Sequence, residues 1–117
     1  MAPTVLIVDD HAGFRAMARR MLEASGWTVT GEAPDAASGL LAAAAQRPDV
    51  VLLDLNLPDA SGLEVAGRLA AGGPAVVLCS THEEEELGDL ARENGASGFV
   101  PKSQLTGETL ASAARAG

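Results

Sequence analysis

Acidic, hydroxyl and amine side chains recur directly after short apolar runs of this sequence. In chain order they are Asp9, Asp10, Asp54, Ser80 and Lys102. Three carboxylates that converge repel one another unless a hard divalent cation such as Mg²⁺ lies among them, and Mg²⁺ takes oxygen ligands. A lysine and a hydroxyl group beside such a cluster can contact phosphoryl oxygens. The combination predicts a phosphoryl-transfer site in which one carboxylate is the nucleophile.

Short apolar runs alternate with longer amphipathic segments along the chain. Residues 5–8, 50–53 and 75–79 are apolar throughout, which is typical of strands buried on both faces. Residues 27–30 and 98–100 are weaker strand candidates. Apolar residues at helical spacing predict helices over residues 14–22, 36–46, 63–71, 81–95 and 106–116.

Strands that each precede a helix predict one α/β domain over residues 1–117, with a parallel sheet covered by helices on both faces. In such open sheets, ligands bind outside the carboxyl ends of the strands. The polar side chains that follow the strands are therefore expected at one edge of the sheet. Taken alone, Asp10 is a candidate helix cap, Ser80 a turn residue and Lys102 a solvated charge. Their joint occurrence favours a common site over coincidence.

The composition limits the classes of function. The chain has 117 residues, of which 47% are hydrophobic and 21% charged, as expected of one globular domain. Its formal net charge of −8 disfavours binding to nucleic-acid phosphates and suits a cation. Aromatic residues make up 3% and include no tyrosine, which argues against a flavin pocket.

Cysteine usage and the terminal sequence indicate a compartment. The single cysteine, Cys79, excludes an internal disulfide and a cysteine-rich zinc site, and it suits a reducing compartment. The sequence begins without a basic signal segment, and its longest apolar stretch, residues 40–45, is too short to span a bilayer. We therefore expect a cytoplasmic protein without a membrane partner.

Four motifs resemble the receiver domain of bacterial two-component response regulators. They are Val8-Asp9-Asp10, Leu53-Asp54-Leu55-Asn56-Leu57-Pro58, Leu78-Cys79-Ser80-Thr81 and Gly95-Ala96-Ser97-Gly98-Phe99-Val100-Pro101-Lys102. They occur in the family's order and extend over nearly the whole chain. Residues 99–103, Phe-Val-Pro-Lys-Ser, also resemble receivers of LuxR-type (NarL/FixJ-like) transcription regulators.

The resemblance implies a fold and a set of ligands. The fold is a flavodoxin-like three-layer sandwich, (βα)5, with strand order 2-1-3-4-5. Asp54 would accept a phosphoryl group from the phosphohistidine of a sensor histidine kinase. Asp10 and Asp54 would ligate Mg²⁺, or Mn²⁺, through their side chains, and Asn56 through its backbone carbonyl. Asp9 would act directly or through a metal-bound water.

The resemblance also implies a switch rather than an enzyme with turnover. Ser80 and Lys102 would bind phosphoryl oxygens, and Ser80 would move toward them on activation. Phe99 would then fill the vacated space and change the surface of the fourth helix, fifth strand and fifth helix. That surface, or the first and fifth helices, would support a homodimer and regulate transcription.

The sequence departs from the family pattern in specific places. Phe99 replaces a tyrosine found in many receivers, so the phenolic hydrogen bond is lost. Thr81 stands where alanine or glycine is common, and its branched side chain would crowd the phosphoryl site. The sequence ends one helix after Lys102 without a helix-turn-helix. We therefore expect DNA binding only through an output domain that these residues do not include.

Two other functions compete with the switch. A haloacid-dehalogenase-type phosphatase also uses an aspartate nucleophile, but it needs a second acid two residues later, where this chain has Asn56. A flavodoxin-like electron carrier needs a phosphate-binding loop after the first strand, where this chain has Asp9, Asp10 and His11. Multiple-turnover hydrolysis of a phosphomonoester would favour the phosphatase, and a yellow colour would favour the carrier.

The remaining polar and glycine residues have structural interpretations. His11 and His82 are expected on the surface or the rim of the pocket, since two histidines alone do not make a zinc site. Residues 83–86, all glutamate, suit a solvated helix start, with a capping-box spacing from Thr81. Two of the glycines inside predicted helices, Gly67 and Gly88, lower local stability and have no predicted role.

Overall fold

The computed structural model describes residues 2–81 and 86–116. Strands and helices alternate along the chain as the apolar pattern predicts. The strands are β1 (Thr4–Val8), β2 (Thr28–Ala33), β3 (Val50–Asp54), β4 (Ala75–Ser80) and β5 (Gly98–Pro101). The helices are α1 (Ala12–Ala24), α2 (Ala36–Gln46), α3 (Gly62–Ala71), α4 (Glu86–Glu93) and α5 (Gly107–Arg115). A 3-10 helix, Lys102–Gln104, joins β5 to α5 and was not predicted.

All neighbouring strands pair in parallel, in the order β2-β1-β3-β4-β5. This confirms the fold class and the strand order implied by the family resemblance. Val8 pairs with Leu53, and Asp54 pairs with Cys79, so β1, β3 and β4 end side by side. The acids after β1 and at the end of β3 therefore share one edge of the sheet.

Helices cover both faces of the sheet and bury two separate apolar clusters. Alternate strand residues face α1 and α5, whose Leu22 and Leu110 are fully buried. The intervening strand residues face α2, α3 and α4, which contribute Ala36, Leu69 and Ala91. Burial of both strand faces explains why the central strands are apolar throughout. The three-layer arrangement holds the carboxyl ends of the strands in fixed positions.

Short polar residues begin most helices. Asp35 caps α2, with its carboxylate accepting from the Ser38 N–H at 2.8 Å. The cap of α1 is His11 rather than Asp10, because the His11 Nδ1 accepts from Phe14 N–H at 3.1 Å. The Asp10 carboxylate is therefore not used as the cap of α1. Gly26 follows α1 with φ 93°, as predicted for a residue just past a helix end.

The second strand begins and ends later than predicted. It spans Thr28–Ala33, whereas alternation indicated residues 27–30. A register shift between Val5 and Leu6 of β1 interrupts the simple alternation and lets β2 continue until Ala33 pairs with Val8. Trp27 lies before the strand, is buried, and donates its indole N–H to the Gly107 carbonyl at 3.3 Å.

The close approach of α3 to the end of α4 explains why residue 67 is a glycine. A Cβ on Gly95, which has φ 95°, would lie 3.1 Å from the Cα of Gly67, and a Cβ on Gly67 would lie 3.3 Å from the Asn94 carbonyl. Gly67 therefore lets α3 pass the end of α4.

Two predictions fall on residues 82–85, which lie outside the described residues. They are the capping box from Thr81 to Glu84 and the surface or pocket-rim position of His82. Within the described ranges, no helix is long and apolar enough to cross a membrane.

Candidate functional site

Three carboxylates converge at the carboxyl edge of the sheet. Asp9 and Asp10 follow β1, and Asp54 is the last residue of the adjacent β3. One oxygen from each side chain lies within 4.8 Å of the others. Asp9 and Asp54 are buried, whereas Asp10 is exposed. The structure thus brings together the three acids that the sequence placed at one edge.

Asp9 is held from several directions. Its N–H donates to the Ala33 carbonyl of β2 at 2.9 Å, and its Oδ1 accepts from the His11 N–H at 2.8 Å. Its Oδ2 lies 2.7 Å from the Lys102 ammonium. The side chain is 2% exposed, so water cannot replace these partners easily. Asp9 is therefore a fixed negative charge behind the more exposed Asp10.

Lys102 follows β5 and reaches across the sheet edge to both buried acids. Its Nζ lies 2.7 Å from Asp9 Oδ2 and 3.8 Å from Asp54 Oδ1, and 4.2 Å from the centroid of the Phe14 ring. Burial lowers the pKa of Lys102, but its short contact with the Asp9 carboxylate and the charge of Asp54 outweigh this effect, so its pKa lies above the ordinary value. Lys102 is therefore a permanent cation inside the acidic cluster.

Asp54 is the acid whose protonation is most strongly perturbed. Burial, reinforced by the neighbouring Asp9 charge, raises the pKa of Asp54 to about 6. Lys102 and a hydrogen bond from the Asn56 backbone N–H act in the opposite direction. A buried carboxylate that gives up its proton near neutrality is suited to act as a nucleophile when a further positive charge stabilises it.

The loop after β3 is packed tightly beneath Asp54. Gly62 begins α3 and donates its N–H to the Leu55 carbonyl at 2.7 Å, and a Cβ on Gly62 would overlap the Asp54 carbonyl oxygen. Asp59, in the same loop, accepts from the first two N–H groups of α2, at 2.8 and 3.0 Å. These backbone donors lower the pKa of Asp59. The loop is therefore tied to two helices.

The predicted switch residues lie on the neighbouring strands. Ser80 is the buried last residue of β4, one position beyond the Cys79 that pairs with Asp54. Thr81 follows it and is exposed. Phe99 of β5 is half-buried, packs against the cluster under α3 and α4, and lines a groove between β5 and α5. Their roles remain predictions.

The acid cluster fits a hard divalent cation. Asp9 Oδ2 is buried, and within residues 2–81 and 86–116 it has the Lys102 charge beside it but no hydrogen bond of good geometry. The converging donors are all carboxylate oxygens, which is the donor set that Mg²⁺ prefers. Asn56 is exposed, and its backbone pairs with Ser61 in an isolated β-bridge within the loop that follows β3 and Asp54.

Several supporting residues were not recognised from the sequence. Phe14 and Arg15 fall within the helix predicted over residues 14–22, yet the Phe14 ring contacts the Lys102 ammonium and Arg15 donates to the Asp9 carbonyl at 2.6 Å. Asp59 and Gly62 lie between the strand predicted over residues 50–53 and the helix predicted over residues 63–71. These contacts belong to no periodic pattern, and those of Phe14 with Lys102 and of Asp59 with α2 join residues that are distant in the sequence, so no sequence signal marks them.

Comparisons with known proteins agree with this geometry. Residues 5–115 match the family described as the response regulator receiver domain. The receiver domain of the response regulator NarL from Mycobacterium tuberculosis has a solved structure with TM-score 0.87 and 32% identity, covering 97% of each chain. The flavodoxin-like architecture is therefore that of a receiver domain.

Curated relatives are transcription regulators. The nitrate/nitrite response regulator protein NarL of Escherichia coli K12 is 36% identical over 104 residues, which cover 85% of this chain and 47% of that protein. The virulence-factor transcription regulator BvgA of Bordetella pertussis is 39% identical over 110 residues, covering 91% and 52%. The chain spans about half the length of the curated relatives it matches.

These likenesses confirm the resemblance to NarL-like receivers and give no support to the phosphatase interpretation. The family match extends over nearly the whole described chain, and the acids of the site stand at the strand ends where the motifs placed them. This chain therefore belongs to the response regulator receiver domain family, of the kind found in transcription regulators.

Proposed function

We propose that Asp54 is the phosphoacceptor of this receiver domain and that its phosphorylation is the signal. The observation that most supports this role is the placement of one buried carboxylate, at a strand end, beside two further acids and a lysine. The pKa of Asp54 is raised to about 6, so its proton is lost near neutral pH. The donor is the phosphohistidine of a sensor histidine kinase.

In the transfer, an Asp54 carboxylate oxygen attacks phosphorus in line with the histidine nitrogen. A carboxylate–phosphorus bond forms as the phosphorus–nitrogen bond breaks, and the departing imidazole takes up a proton from solvent. Lys102 is placed to contact a phosphoryl oxygen, because its ammonium already lies 3.8 Å from Asp54 Oδ1. Ser80 donates its hydroxyl to another oxygen.

A bound Mg²⁺, or Mn²⁺, would neutralise the charge that accumulates between the carboxylates and the phosphoryl oxygens. Asp10 and Asp54 would hold it with their side chains and Asn56 with its backbone carbonyl. Asp9 would contribute directly or through water. The buried Asp9 is already balanced by Lys102 at 2.7 Å, which leaves the exposed Asp10 carboxylate available.

Phosphorylation would add negative charge at the buried Asp54, and residues at the ends of the neighbouring strands would move in response. Phosphorylated Asp54 would draw Ser80 and the following Thr81 toward the new oxygens, and Phe99 would move into the vacated space. Phe99 lines the groove formed by β5, α5 and Arg92 of α4. This face is the proposed output surface of a switch that does not itself turn over substrate.

The partners follow from this role. The kinase delivers the phosphoryl group in the cytoplasm, and the output surface or α1 and α5 supports a homodimer. With a formal net charge of −8, the domain reaches DNA only through another domain. Sedimentation of the phosphorylated and unmodified forms tests the dimer, and equal coefficients would contradict it.

Small-molecule phosphorylation tests the site directly. With acetyl phosphate or phosphoramidate and Mg²⁺, the intact mass should rise by one phosphoryl group, and base should remove it. Asp54→Asn should show no adduct. Asp35→Asn is the matched control, since asparagine also caps α2 and the same charge is removed outside the site. A full adduct on Asp54→Asn would refute the assignment.

A further inference from the structure

The side chain of Arg15 joins the acidic site to the second strand. Its Nη1 donates to the backbone carbonyl of Asp9 at 2.6 Å, and its Nε donates to Glu32 Oε1 at 3.2 Å. The Arg15 side chain is 18% exposed, so it is mostly shielded from solvent. One side chain of α1 therefore contacts the backbone of the site and a carboxylate of β2 at the same time.

Glu32 is itself fixed. Its second oxygen accepts from Arg19 Nε at 2.7 Å, and its backbone belongs to β2, where it pairs in register with Ile7 of β1. Arg19 also lies 3.6 Å from Glu23. The carboxylate that holds Arg15 is thus anchored by a strand on one side and a second arginine on the other.

The carbonyl that Arg15 holds belongs to the peptide between Asp9 and Asp10. The Asp9 N–H, Oδ1 and Oδ2 are held by Ala33, His11 and Lys102. The carbonyl is the remaining polar group of Asp9, and its orientation sets the direction in which the following residue leaves the strand. Asp10 is exposed, so that direction decides where its carboxylate lies.

We infer that Arg15, oriented by Glu32, is a positioning residue that fixes the Asp9–Asp10 peptide so that the acid cluster can bind a divalent cation. The inference rests on the proposed function and deepens it. Arginine suits the role because its planar guanidinium presents several donors in a fixed arrangement, whereas a lysine ammonium cannot span both partners with the same geometry. Ligand-supporting contacts of this kind change metal affinity by about 10- to 100-fold when removed.

Electrostatics and positioning predict opposite results, which makes the inference testable. Removing a positive charge beside three carboxylates should by itself strengthen cation binding. Loss of positioning should weaken it. Arg20 of the same helix is the matched control, because it is exposed and has no ion pair or hydrogen bond within the described ranges.

The experiment is a calorimetric titration of Mg²⁺ into the unphosphorylated protein. We expect Arg15→Met to raise the dissociation constant by about tenfold, and Arg15→Lys to have a smaller effect of the same sign. Arg20→Met should leave the constant unchanged or lower it slightly. Glu32→Ala should weaken binding, and Glu32→Gln, which keeps an acceptor for Arg15, should weaken it less.

A second readout separates affinity from chemistry. Phosphorylation by acetyl phosphate, measured against Mg²⁺ concentration, should need more Mg²⁺ in Arg15→Met but reach the wild-type rate at saturation. If Arg15→Met does not fold, judged by Trp27 fluorescence, Arg15→Lys is used for the comparison. Unchanged or tighter Mg²⁺ binding in a folded Arg15 variant would overturn the inference while wild-type phosphorylation still supports the proposed function. Absence of an adduct on wild-type Asp54 would instead overturn the function.

Discussion

The Lys102 ammonium lies 2.7 Å from Asp9 Oδ2 but 3.8 Å from Asp54 Oδ1. This lysine therefore pairs with Asp9 rather than with Asp54, the proposed phosphoacceptor. Burial, reinforced by the Asp9 charge, raises the pKa of Asp54 to about 6, and the more distant Lys102 charge offsets this only in part. Lys102 can approach new phosphoryl oxygens by a short movement without leaving the site.

Removal of the lysine charge should destabilise the fold. Lys102→Met leaves the Asp9 carboxylate, 2% exposed, without its ammonium, and breaking such a pair costs about 3 kcal/mol. Urea unfolding followed by the fluorescence of Trp27 measures the free energy of unfolding. In an Asp9→Asn background the same substitution should cost much less, since no buried charge is stranded. An equal cost in both backgrounds would show that the two side chains are not coupled.

The buried Asp54 carboxylate should reduce stability at neutral pH. Its pKa is raised to about 6 from 3.8, so the folded state holds the proton more tightly than the unfolded chain. The wild type therefore loses stability relative to Asp54→Asn as the pH rises from about 4 to about 6. We expect Asp54→Asn to be more stable by about 1 to 3 kcal/mol near pH 7.5, and equal to the wild type below about pH 4.

Urea unfolding of both proteins with a chelator present tests this pH dependence. The chelator is needed because a bound cation would itself stabilise the ionised carboxylate. Asp35→Asn, which changes an acid outside the cluster, should show no comparable gain at neutral pH. A constant difference between Asp54→Asn and the wild type at every pH would contradict the burial of an ionised Asp54.

Gly62 should tolerate no side chain. A Cβ there would overlap the Asp54 carbonyl oxygen and lie 3.0 Å from the Leu55 Cα, both of them backbone atoms. Gly62→Ala should destabilise the fold by about 1 to 3 kcal/mol and slow phosphorylation by acetyl phosphate, because the loop beneath Asp54 must shift.

The control for this substitution is another helical glycine with space around it. Among the described residues, a Cβ on Gly88 would meet only the Arg92 guanidinium, at 3.6 Å, so Gly88→Ala should stabilise α4 by about 0.5 to 1 kcal/mol. Thermal unfolding of both variants gives the comparison. Destabilisation by Gly88→Ala of the same size as by Gly62→Ala would mean that the close approach at the site is not the cause.

Cys79 should be inert in the folded protein. Burial in β4 raises the pKa of its thiol to about 12, with the Asp54 and Asp9 charges reinforcing the effect, so almost no thiolate forms at neutral pH. Iodoacetamide near pH 8 should leave the native protein unmodified and label it fully in urea. Rapid labelling of native protein would contradict the buried position of this residue.

The fold could be predicted from sequence because its determinants are periodic. Continuous apolar runs in β1, β3 and β4 reflect burial of both strand faces, and the acids after those runs followed the rule for ligand sites at strand ends. The strand order itself came from the family resemblance. The weakest prediction was β2, where the register shift at Val5 and Leu6 broke the alternation.

The supporting contacts of the site could not be predicted, because they depend on three-dimensional packing. Arg15 has the type and position of an ordinary charged residue of α1, and nothing in the sequence marks its hydrogen bond to the Asp9 carbonyl. Asp59 likewise caps α2, a helix that precedes it by more than a strand. Of the two polar residues before α1, His11 rather than Asp10 caps the first turn, through a local hydrogen bond from the Phe14 N–H.

Direct mapping of the modified residue is the measurement closest to the central claim. An aspartyl phosphate is reduced by borohydride to homoserine, and peptide sequencing by mass spectrometry then locates the change. After reaction with acetyl phosphate and Mg²⁺, homoserine should replace aspartate at Asp54 alone. Homoserine at Asp9 or Asp10, or an adduct that leaves Asp54 unmodified, would contradict the account.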